Sequence, residues 1–163
     1  MGALSGNWPV VHTLINQSFD IDASVERAWA FLLDAEQVAA CMPGAVLESS
    51  EPDGTLRGHI AVKLGFVSLR YDVAASFETI DGDSHTATLV ATGAQANAPE
   101  LESVRVQITS HCMASSTTST TIRVEIELEL EGRLAEFGKP MIRSVSKQLT
   151  KRFAEAASQR LEV

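Results

Sequence analysis

The chain has 163 residues and a formal net charge of −8 at pH 7, from 21 acidic and 13 basic residues. Nucleic-acid binding requires a basic surface against the phosphate backbone, so this charge argues against a nucleic-acid partner. The length allows one domain with a substantial core. No apolar run reaches the roughly 18 residues of a membrane-spanning helix, and no signal-peptide pattern opens the chain. We therefore predict a cytoplasmic protein, with peripheral contact at the inner face of the membrane as the alternative.

The N-terminal part of the chain is predicted to contain a leader, a strand and the start of a helix. Residues 1–11 show no hydrophobic period and are expected to form a loose leader before a single domain over residues 12–163. Apolar alternation predicts the first strand over residues 15–21. Asp22 then stands where a helix N-cap belongs.

Two short helices are predicted after this strand. The first has an apolar face at helical spacing, formed by Val25, Ala28, Trp29 and Leu32. The second is expected over residues 36–41. Pro43 and Gly44 should end it, since this pair stops a helix and sets a rigid corner.

An antiparallel meander is predicted next, because successive segments alternate apolar and polar residues and are separated by turn signals. The signals are Pro52-Asp53-Gly54, Gly65, Asp81-Gly82, Pro99-Glu100 and the Ser/Thr-rich residues 115–119. Each strand then has one apolar and one polar face, which is typical of a sheet covered on one side.

The last strand of the meander has an acidic outer face, formed by Glu125, Glu127, Glu129 and Glu131. A cation site was weighed, but the spacing of these carboxylates along one strand favours a solvated face. Pairing with a basic side chain of the neighbouring strand, such as Arg105, is the other interpretation.

A long amphipathic helix closes the chain. It is expected to begin near Phe137 or Gly138, with Pro140 tolerated in its first turn. Its apolar stripe comprises Ile142, Val145, Leu149, Phe153 and Ala156. The element order predicts an α+β fold, in which a curved antiparallel sheet of about seven strands wraps around the C-terminal helix. A sheet that grips one helix forms a groove suited to an apolar ligand.

Two sequence strings resemble the carbon-monoxide dehydrogenase G-subunit family. One is Val38-Ala39-Ala40-Cys41-Met42-Pro43-Gly44-Ala45, after a helix carrying Trp29-Ala30-Phe31-Leu32, and the other is Gly132-Arg133-Leu134-Ala135-Glu136-Phe137-Gly138. The similarity covers roughly residues 12–161. It implies the helix-grip fold of the START-like, Bet v 1-like or polyketide-cyclase superfamily, whose members bind lipids, quinones, steroids or polyketides between sheet and helix.

The resemblance also implies a function. It implies an accessory protein that is encoded with molybdenum hydroxylases. Such accessory proteins link these enzymes to the membrane or to their electron acceptor. We therefore predict a non-enzymatic accessory protein that binds an apolar ligand, a quinone or a lipid. The alternatives are a surface adaptor for such an enzyme without a ligand, and a cyclase- or dehydratase-like enzyme that uses Tyr71 or Gln95.

The predicted cavity lies between the sheet and the closing helix. Its expected lining is Trp29, Met42, Tyr71, Val73, Leu89, Ala91, Gln95, Val106, Met141, Val145 and Leu149, with Pro43 and Gly44 as a lip. Small inward residues, namely Ala75, Ala87, Ala91 and Gly93, should leave space under the helix. Large residues such as Phe77, Trp29 and Phe153 could instead fill that space. Inward polar groups, among them Tyr71, Gln95, Asn97 and Ser110, are expected to meet structural partners or the ligand.

No catalytic residues, metal site or cofactor are predicted. The chain has no nucleophile-elbow, zinc-protease, phosphate-loop or dinucleotide motif. Cys41 and Cys112 are expected to be buried thiols, since they are too far apart in sequence for a CxxC motif. The four histidines have no second ligand at metal-binding spacing. By strand parity, His59 is expected on the outer surface.

Overall fold

A single antiparallel sheet organises the molecule, whose computed structural model describes residues 10–64, 66–97 and 103–162. The strands are β1 (Val10–Ile21), β2 (Ala45–Ser50), β3 (Leu56–Leu64), β4 (Val67–Asp81), β5 (Thr86–Gln95), β6 (Ser103–Ala114) and β7 (Thr120–Glu131). Their order is β1-β7-β6-β5-β4-β3-β2. The first strand therefore pairs with the last, and the meander from β2 to β7 is continuous, as the alternation predicted.

The helices cover one face of this curved sheet. They are α1 (Val25–Leu32), α2 (Ala35–Cys41) and α3 (Gly138–Leu161), and a short 3₁₀ turn, Leu134–Phe137, leads into α3. The predicted α+β class, the two short helices after the first strand and the long final helix of 24 residues are thus confirmed.

The cap of α1 differs from the prediction. Ser24 is the N-cap, and its hydroxyl accepts a hydrogen bond from the backbone N–H of Arg27 at 3.3 Å. Asp22 lies two residues earlier, where its backbone N–H donates to Glu162 Oε2 at 2.9 Å. Prediction failed here because both residues are good caps, and only the tertiary contact with the end of α3 distinguishes them.

The first strand is longer than its apolar pattern predicted. It begins at Val10, which pairs with Glu131 of β7, and so includes two residues assigned to the leader. Pairing with β7 organises this segment, although its own sequence shows no clear alternation. Residues 1–9 of the predicted leader and the predicted turn residues Gly65, Pro99 and Glu100 lie outside the described residues.

Two groups of buried side chains form the core between sheet and helices. The Phe153 cluster comprises Ile21, Ala23, Ala28, Phe31, Cys41, Cys112, Ile122, Phe153, Ala157 and Leu161. The Ile142 cluster comprises Val11, Leu69, Tyr71, Leu128, Leu130, Leu134, Ala135 and Ile142. Each cluster contains one end of α3, so the middle of the helix lies between two packed regions.

The acidic strand face is solvated, as its spacing predicted. Glu125, Glu127 and Glu129 are exposed. Arg105 lies opposite Glu129 in the β6–β7 register. His12 Nε2 is 3.5 Å from Glu127 Oε1, in a pair that is open to solvent on both sides.

The two cysteines are buried free thiols in the Phe153 cluster, as predicted. Burial raises the pKa of Cys112 to about 11. Burial also raises the pKa of Cys41, where the charge of Arg160 acts in the opposite direction. Both groups are therefore uncharged in the folded protein at neutral pH.

The raised pKa of Cys112 predicts a loss of stability in alkali. An unfolded cysteine titrates near ~8.5. The pKa of Cys112 is higher in the folded protein. The thiol therefore makes its full contribution to the free energy of unfolding below about pH 8.5, and this contribution is lost as pH rises towards about 11. We expect the free energy of unfolding, measured with urea, to fall from pH 8 to pH 10. The fall should be smaller in Cys112→Ala, and an equal fall in both proteins would contradict the assignment.

Candidate ligand cavity

A cavity of about 300 Å³ lies between the concave face of the sheet and the helical layer, bordered by α2 and by Thr150 and Phe153 of α3. Its wall is almost wholly apolar. Some wall residues belong to the Phe153 cluster, and others are partly buried residues that pack against one of the two clusters. The sheet contributes Phe19, Ala45, Val46, Leu47, Leu56, Arg57, Gly58, His59, Ile60, Val73, Ala75, Phe77, Ala87, Leu89, Ala91, Ile108, Ser110, Ile122, Val124 and Ile126. The helical side contributes Leu32, Ala35, Val38, Ala39, Met42, Thr150 and Phe153.

Alanines in the central strands account for the space. Ala75 of β4 lies directly opposite Ala91 of β5, and Ala87 lies opposite Ser110 of β6. Three of the four small inward residues, Ala75, Ala87 and Ala91, line the cavity. Gly93 does not line it.

Helix α2 forms part of the wall because its first turn is fixed. Asp34 caps it, accepting hydrogen bonds at Oδ1 from the backbone N–H groups of Glu36 and Gln37 and at Oδ2 from Gln37 Nε2. Hydrogen bonds from Gln37 hold the pKa of Asp34 below its usual value. The cap orients the small apolar residues Ala35, Val38 and Ala39 of α2 towards the cavity.

Four polar residues border the otherwise apolar cavity, namely Arg57, His59, Ser110 and Thr150. The Thr150 hydroxyl donates to the Ser146 carbonyl oxygen of its own helix at 2.9 Å. The Ser110 hydroxyl makes no hydrogen bond to the part of the chain that the structure describes. Arg57 Nε donates to Glu51 Oε1, and this bond raises the pKa of Arg57.

His59 is the most enclosed of the titratable groups on the wall. Its side chain is 20% exposed, and its Nδ1 lies 3.3 Å from Glu48 Oε2. That nitrogen is buried and has no partner at hydrogen-bond geometry within the described ranges. In the register His59 lies opposite Val46 of β2 and Asp72 of β4, which are both exposed. Its side chain is therefore on the outer face of the sheet, as parity predicted, where Glu48 partly covers it.

The structure brings some of the predicted lining residues together. Met42, Val73, Leu89 and Ala91 lie on the cavity wall. The others, which lie off this wall, are Trp29, Tyr71, Gln95, Val106, Met141, Val145 and Leu149.

Three of the residues that lie off the wall belong to the Ile142 cluster or pack against it. Tyr71 is buried in the Ile142 cluster, and Val106 and Val145 pack against that cluster. Gln95 Oε1 accepts the backbone N–H of Asn97 at 3.0 Å, so this inward amide has a structural partner. The inner face is thus continuous in sequence pattern, but only part of it borders the cavity.

The remaining predicted residues face elsewhere. The Trp29 ring lies 5.4 Å from the ring of His85, centroid to centroid, and packs against the Phe153 cluster. Met141 is an exposed residue of the first turn of α3. The helix presents Thr150 and Phe153 to the cavity rather than Leu149. One residue along a helix changes the direction of a side chain by about 100°, which a stripe read from sequence does not resolve.

Pro43 and Gly44, the predicted lip, lie beside the cavity and not on its wall. The corner that they form is fixed to β3, since the Ala61 backbone N–H donates to the Gly44 carbonyl oxygen at 3.0 Å. Gly44 has a φ of +80°, and a Cβ atom there would lie 2.4 Å from the Ala61 carbonyl oxygen. Glycine is required for both reasons.

Gly44→Ala should destabilise the protein by about 2 kcal/mol or more, because the clash with β3 adds to the cost of positive φ. Gly54→Ala is a matched control: Gly54 has a φ of +93° but no atom within 4 Å of the added Cβ. Urea denaturation of both variants separates the two causes. Equal losses of stability would show that the contact with Ala61 contributes nothing.

Sequence reasoning missed Arg57, His59 and Thr150 as wall residues, together with the apolar face of α2. The apolar spacing of Ala35, Val38, Ala39 and Met42 was a usable signal for α2. No sequence signal marks Arg57, His59 or Thr150. Arg57 and His59 come near the cavity because β3 lies next to the edge of the sheet, and Thr150 does so because of the rotation of α3.

The sequence of the domain matches a family model. Residues 18–162 match the model of CoxG, the G subunit of carbon monoxide dehydrogenase. The chain belongs to the CoxG family. The resemblance of the two sequence strings is thereby confirmed over nearly the whole chain. No curated protein matches this CoxG family member.

Solved structures show that its fold is the helix-grip fold. A conserved protein from Geobacillus kaustophilus superposes with a TM-score of 0.81 at 18% identity, covering 92% of this chain and 95% of that one. An aromatase/cyclase from Streptomyces sp. R1128 gives 0.67 at 10% identity, covering 93% and 94%. A START superfamily protein from Mycobacterium smegmatis gives 0.66 at 14% identity, covering 93% and 98%. Among the described residues of this CoxG family member, no helix is long and apolar enough to cross a membrane.

Proposed function

We propose that this protein is a non-enzymatic carrier that holds an apolar ligand, a quinone or a lipid, between the sheet and α3. It serves a molybdenum hydroxylase of the carbon monoxide dehydrogenase type by linking that enzyme to the membrane or to its electron acceptor. Its place of action is the cytoplasm, with peripheral contact at the inner face of the membrane. The observation that carries this proposal is the apolar cavity of about 300 Å³.

The cavity supports a carrier because its size and chemistry suit an apolar ligand. Ligand sites in proteins begin at about 300 Å³ and are lined mainly by apolar side chains with a few polar groups. Removing apolar ligand surface from water contributes ~25 cal/mol per Å². The polar side chains on the wall can then orient the ligand without supplying most of the affinity.

The family supports the choice of partner. Its name describes a component of carbon monoxide dehydrogenase, which is the enzyme that the carrier is proposed to serve. An adaptor without a ligand would be expected to have a filled core, whereas this core retains a cavity. We therefore favour the carrier over the adaptor.

A cyclase-like activity is the second candidate, because the fold resembles that of an aromatase/cyclase. Tyr71 and Gln95, the residues considered for such chemistry, are buried but lie off the cavity wall. The described wall residues include no aspartate, glutamate, cysteine, lysine or tyrosine. His59 borders the cavity, but its side chain lies on the outer face of the sheet with Val46 and Asp72, so it does not offer a base to a ligand inside.

Native mass spectrometry of the protein purified from its own host tests the proposal. We expect a bound apolar small molecule, which organic extraction releases and identifies as a quinone or a lipid. Its transfer to liposomes, and copurification of a molybdenum hydroxylase with the tagged protein, would support the accessory role. If no ligand is recovered and the protein also fails to bind added quinone or fatty acid, the carrier function is refuted. Conversion of a bound polyketide would favour the cyclase.

A further inference from the structure

A hydroxyl group on the concave face of the sheet borders the cavity without a partner. Ser110 of β6 lies opposite Ala87 of β5 and Val124 of β7, and all three residues line the cavity. Ala87 is buried and Val124 packs against the Phe153 cluster, so the register places Ser110 on the inner face. Its hydroxyl makes no hydrogen bond within the ranges that the structure describes. Such a group on an apolar wall can bind a ligand.

Ser110 lies at the enclosed end of the cavity. Among the described wall residues, the buried ones are Ala87, Ile122 and Phe153. Ala87 is the register partner of Ser110, and Ile122 is the partner of Cys112, which follows Ser110 on the same face of β6. The wall formed by α2, β2, β3 and β4 is half-buried or exposed throughout. A ligand that enters from that side therefore meets Ser110 at the far end.

The other polar residues at the cavity do not share this role. The Thr150 hydroxyl donates its proton to the Ser146 carbonyl oxygen of its own helix. Arg57 and His59 alternate with the inward residues of β3, so both side chains lie on the outer face of the sheet. The inner face of the described wall thus carries no ionisable side chain. A charged head group would enter it without a counter-ion, at a high cost in desolvation.

We propose that the Ser110 hydroxyl donates to an uncharged carbonyl oxygen of the ligand and holds this polar end at the enclosed end of the cavity. This assignment rests on the proposed carrier function. A hydroxyl rotates to suit its partner, and a buried donor without an acceptor is unfavourable. The bond therefore favours ligands with such an oxygen over hydrocarbons. The apolar remainder of the ligand extends towards α2 and β2, where its burial supplies most of the affinity. A quinone ring and an acyl ester share this carbonyl chemistry.

Competition binding with small probes tests the assignment. The dye N-phenyl-1-naphthylamine reports occupation of the cavity at pH 8, and hexylbenzene, 2-hexyl-1,4-benzoquinone, methyl decanoate or decanoate displaces it. Ser110→Ala should weaken the binding of the quinone, the ester or both by about fivefold and leave hexylbenzene unchanged. Decanoate should bind at least about tenfold more weakly than its methyl ester, because its charge has no counter-ion on the inner wall.

Thr109→Ala is the matched control. Thr109 is the preceding residue of β6, and its hydroxyl lies on the opposite face of the sheet, 3.1 Å from that of Thr88. The substitution removes a hydroxyl next to Ser110 in sequence but outside the cavity, so all probe affinities should stay as in the wild type. In Ser110→Ala, a larger loss for the quinone identifies a quinone as the source of the carbonyl, and a larger loss for the ester identifies an acyl lipid. Either result supports the assignment.

The infrared carbonyl band of bound methyl decanoate reports the bond directly, because the ester band is separate from the protein amide bands. A hydrogen bond from Ser110 should lower its wavenumber relative to the ester in hexane. Ser110→Ala should return the band to the hexane position, and Thr109→Ala should not. A structural role of Ser110 alone would leave the band unmoved.

The outcomes separate this assignment from the carrier function. Equal affinities of the wild type and Ser110→Ala for both carbonyl probes, with hexylbenzene still bound, overturn the role of Ser110 and leave the carrier intact. An ester band at its hexane position in the wild type does the same. Decanoate that binds as tightly as its methyl ester overturns the selection against charge. If the wild-type protein binds neither the dye nor any probe, the carrier function itself is wrong.

Discussion

Replacing Ala91 with phenylalanine should abolish ligand binding while leaving the protein at least as stable as the wild type. Ala91 lies between Ala75 and Val106 in the sheet and borders the cavity of about 300 Å³. An added phenyl group therefore enters empty space, where it gains packing contacts. It also occupies volume that a ligand tail would need. We expect at least a tenfold weaker affinity for an apolar dye.

Thr92→Phe is the control for this substitution. Thr92 is the next residue of β5 and is exposed on the opposite face of the sheet, so it receives the same aromatic ring outside the cavity. Dye titration and urea denaturation of both variants give the result. If Ala91→Phe binds the dye as well as Thr92→Phe does, the ligand does not occupy this cavity, and the surface adaptor becomes the better account.

The fold was predictable because its main signal is local. Each strand alternates apolar and polar residues, and this pattern alone determines which side faces the core. The segment Thr120–Glu131 is the clearest case, with Ile122 and Leu128 buried and Glu125 and Glu127 exposed. Element limits were less accurate where a distant partner decides them. The start of β1 depends on pairing with β7, and the cap of α1 depends on a contact with the end of α3.

The cavity was only partly predictable because its extent depends on tertiary packing. Parity places Tyr71, Val73 and Ala75 on the same face of β4, but the Ile142 cluster fills the space over Tyr71 and leaves it open over Ala75. The sequence contains no information on where α3 crosses the sheet.

Phe153→Ala should cause the largest loss of stability among the substitutions considered, about 3–5 kcal/mol of a typical total of 5–15. The Phe153 ring packs against Phe19 at 6.3 Å and Phe31 at 6.1 Å, centroid to centroid. It also lines the cavity, so truncation enlarges the space that a ligand can fill. The wild-type and variant proteins should be compared by urea denaturation with and without a saturating apolar ligand.

Phe66→Ala is the matched control, because Phe66 is fully exposed and should tolerate the same truncation with little change. A ligand that binds only the folded protein stabilises it by about 2.7 kcal/mol at a concentration of 100 Kd. If the cavity is the ligand site, hexadecanol should therefore recover a large part of the stability lost in Phe153→Ala. A destabilised Phe153→Ala that gains nothing from any apolar ligand would instead mean that Phe153 supports the core beside a space that no ligand enters.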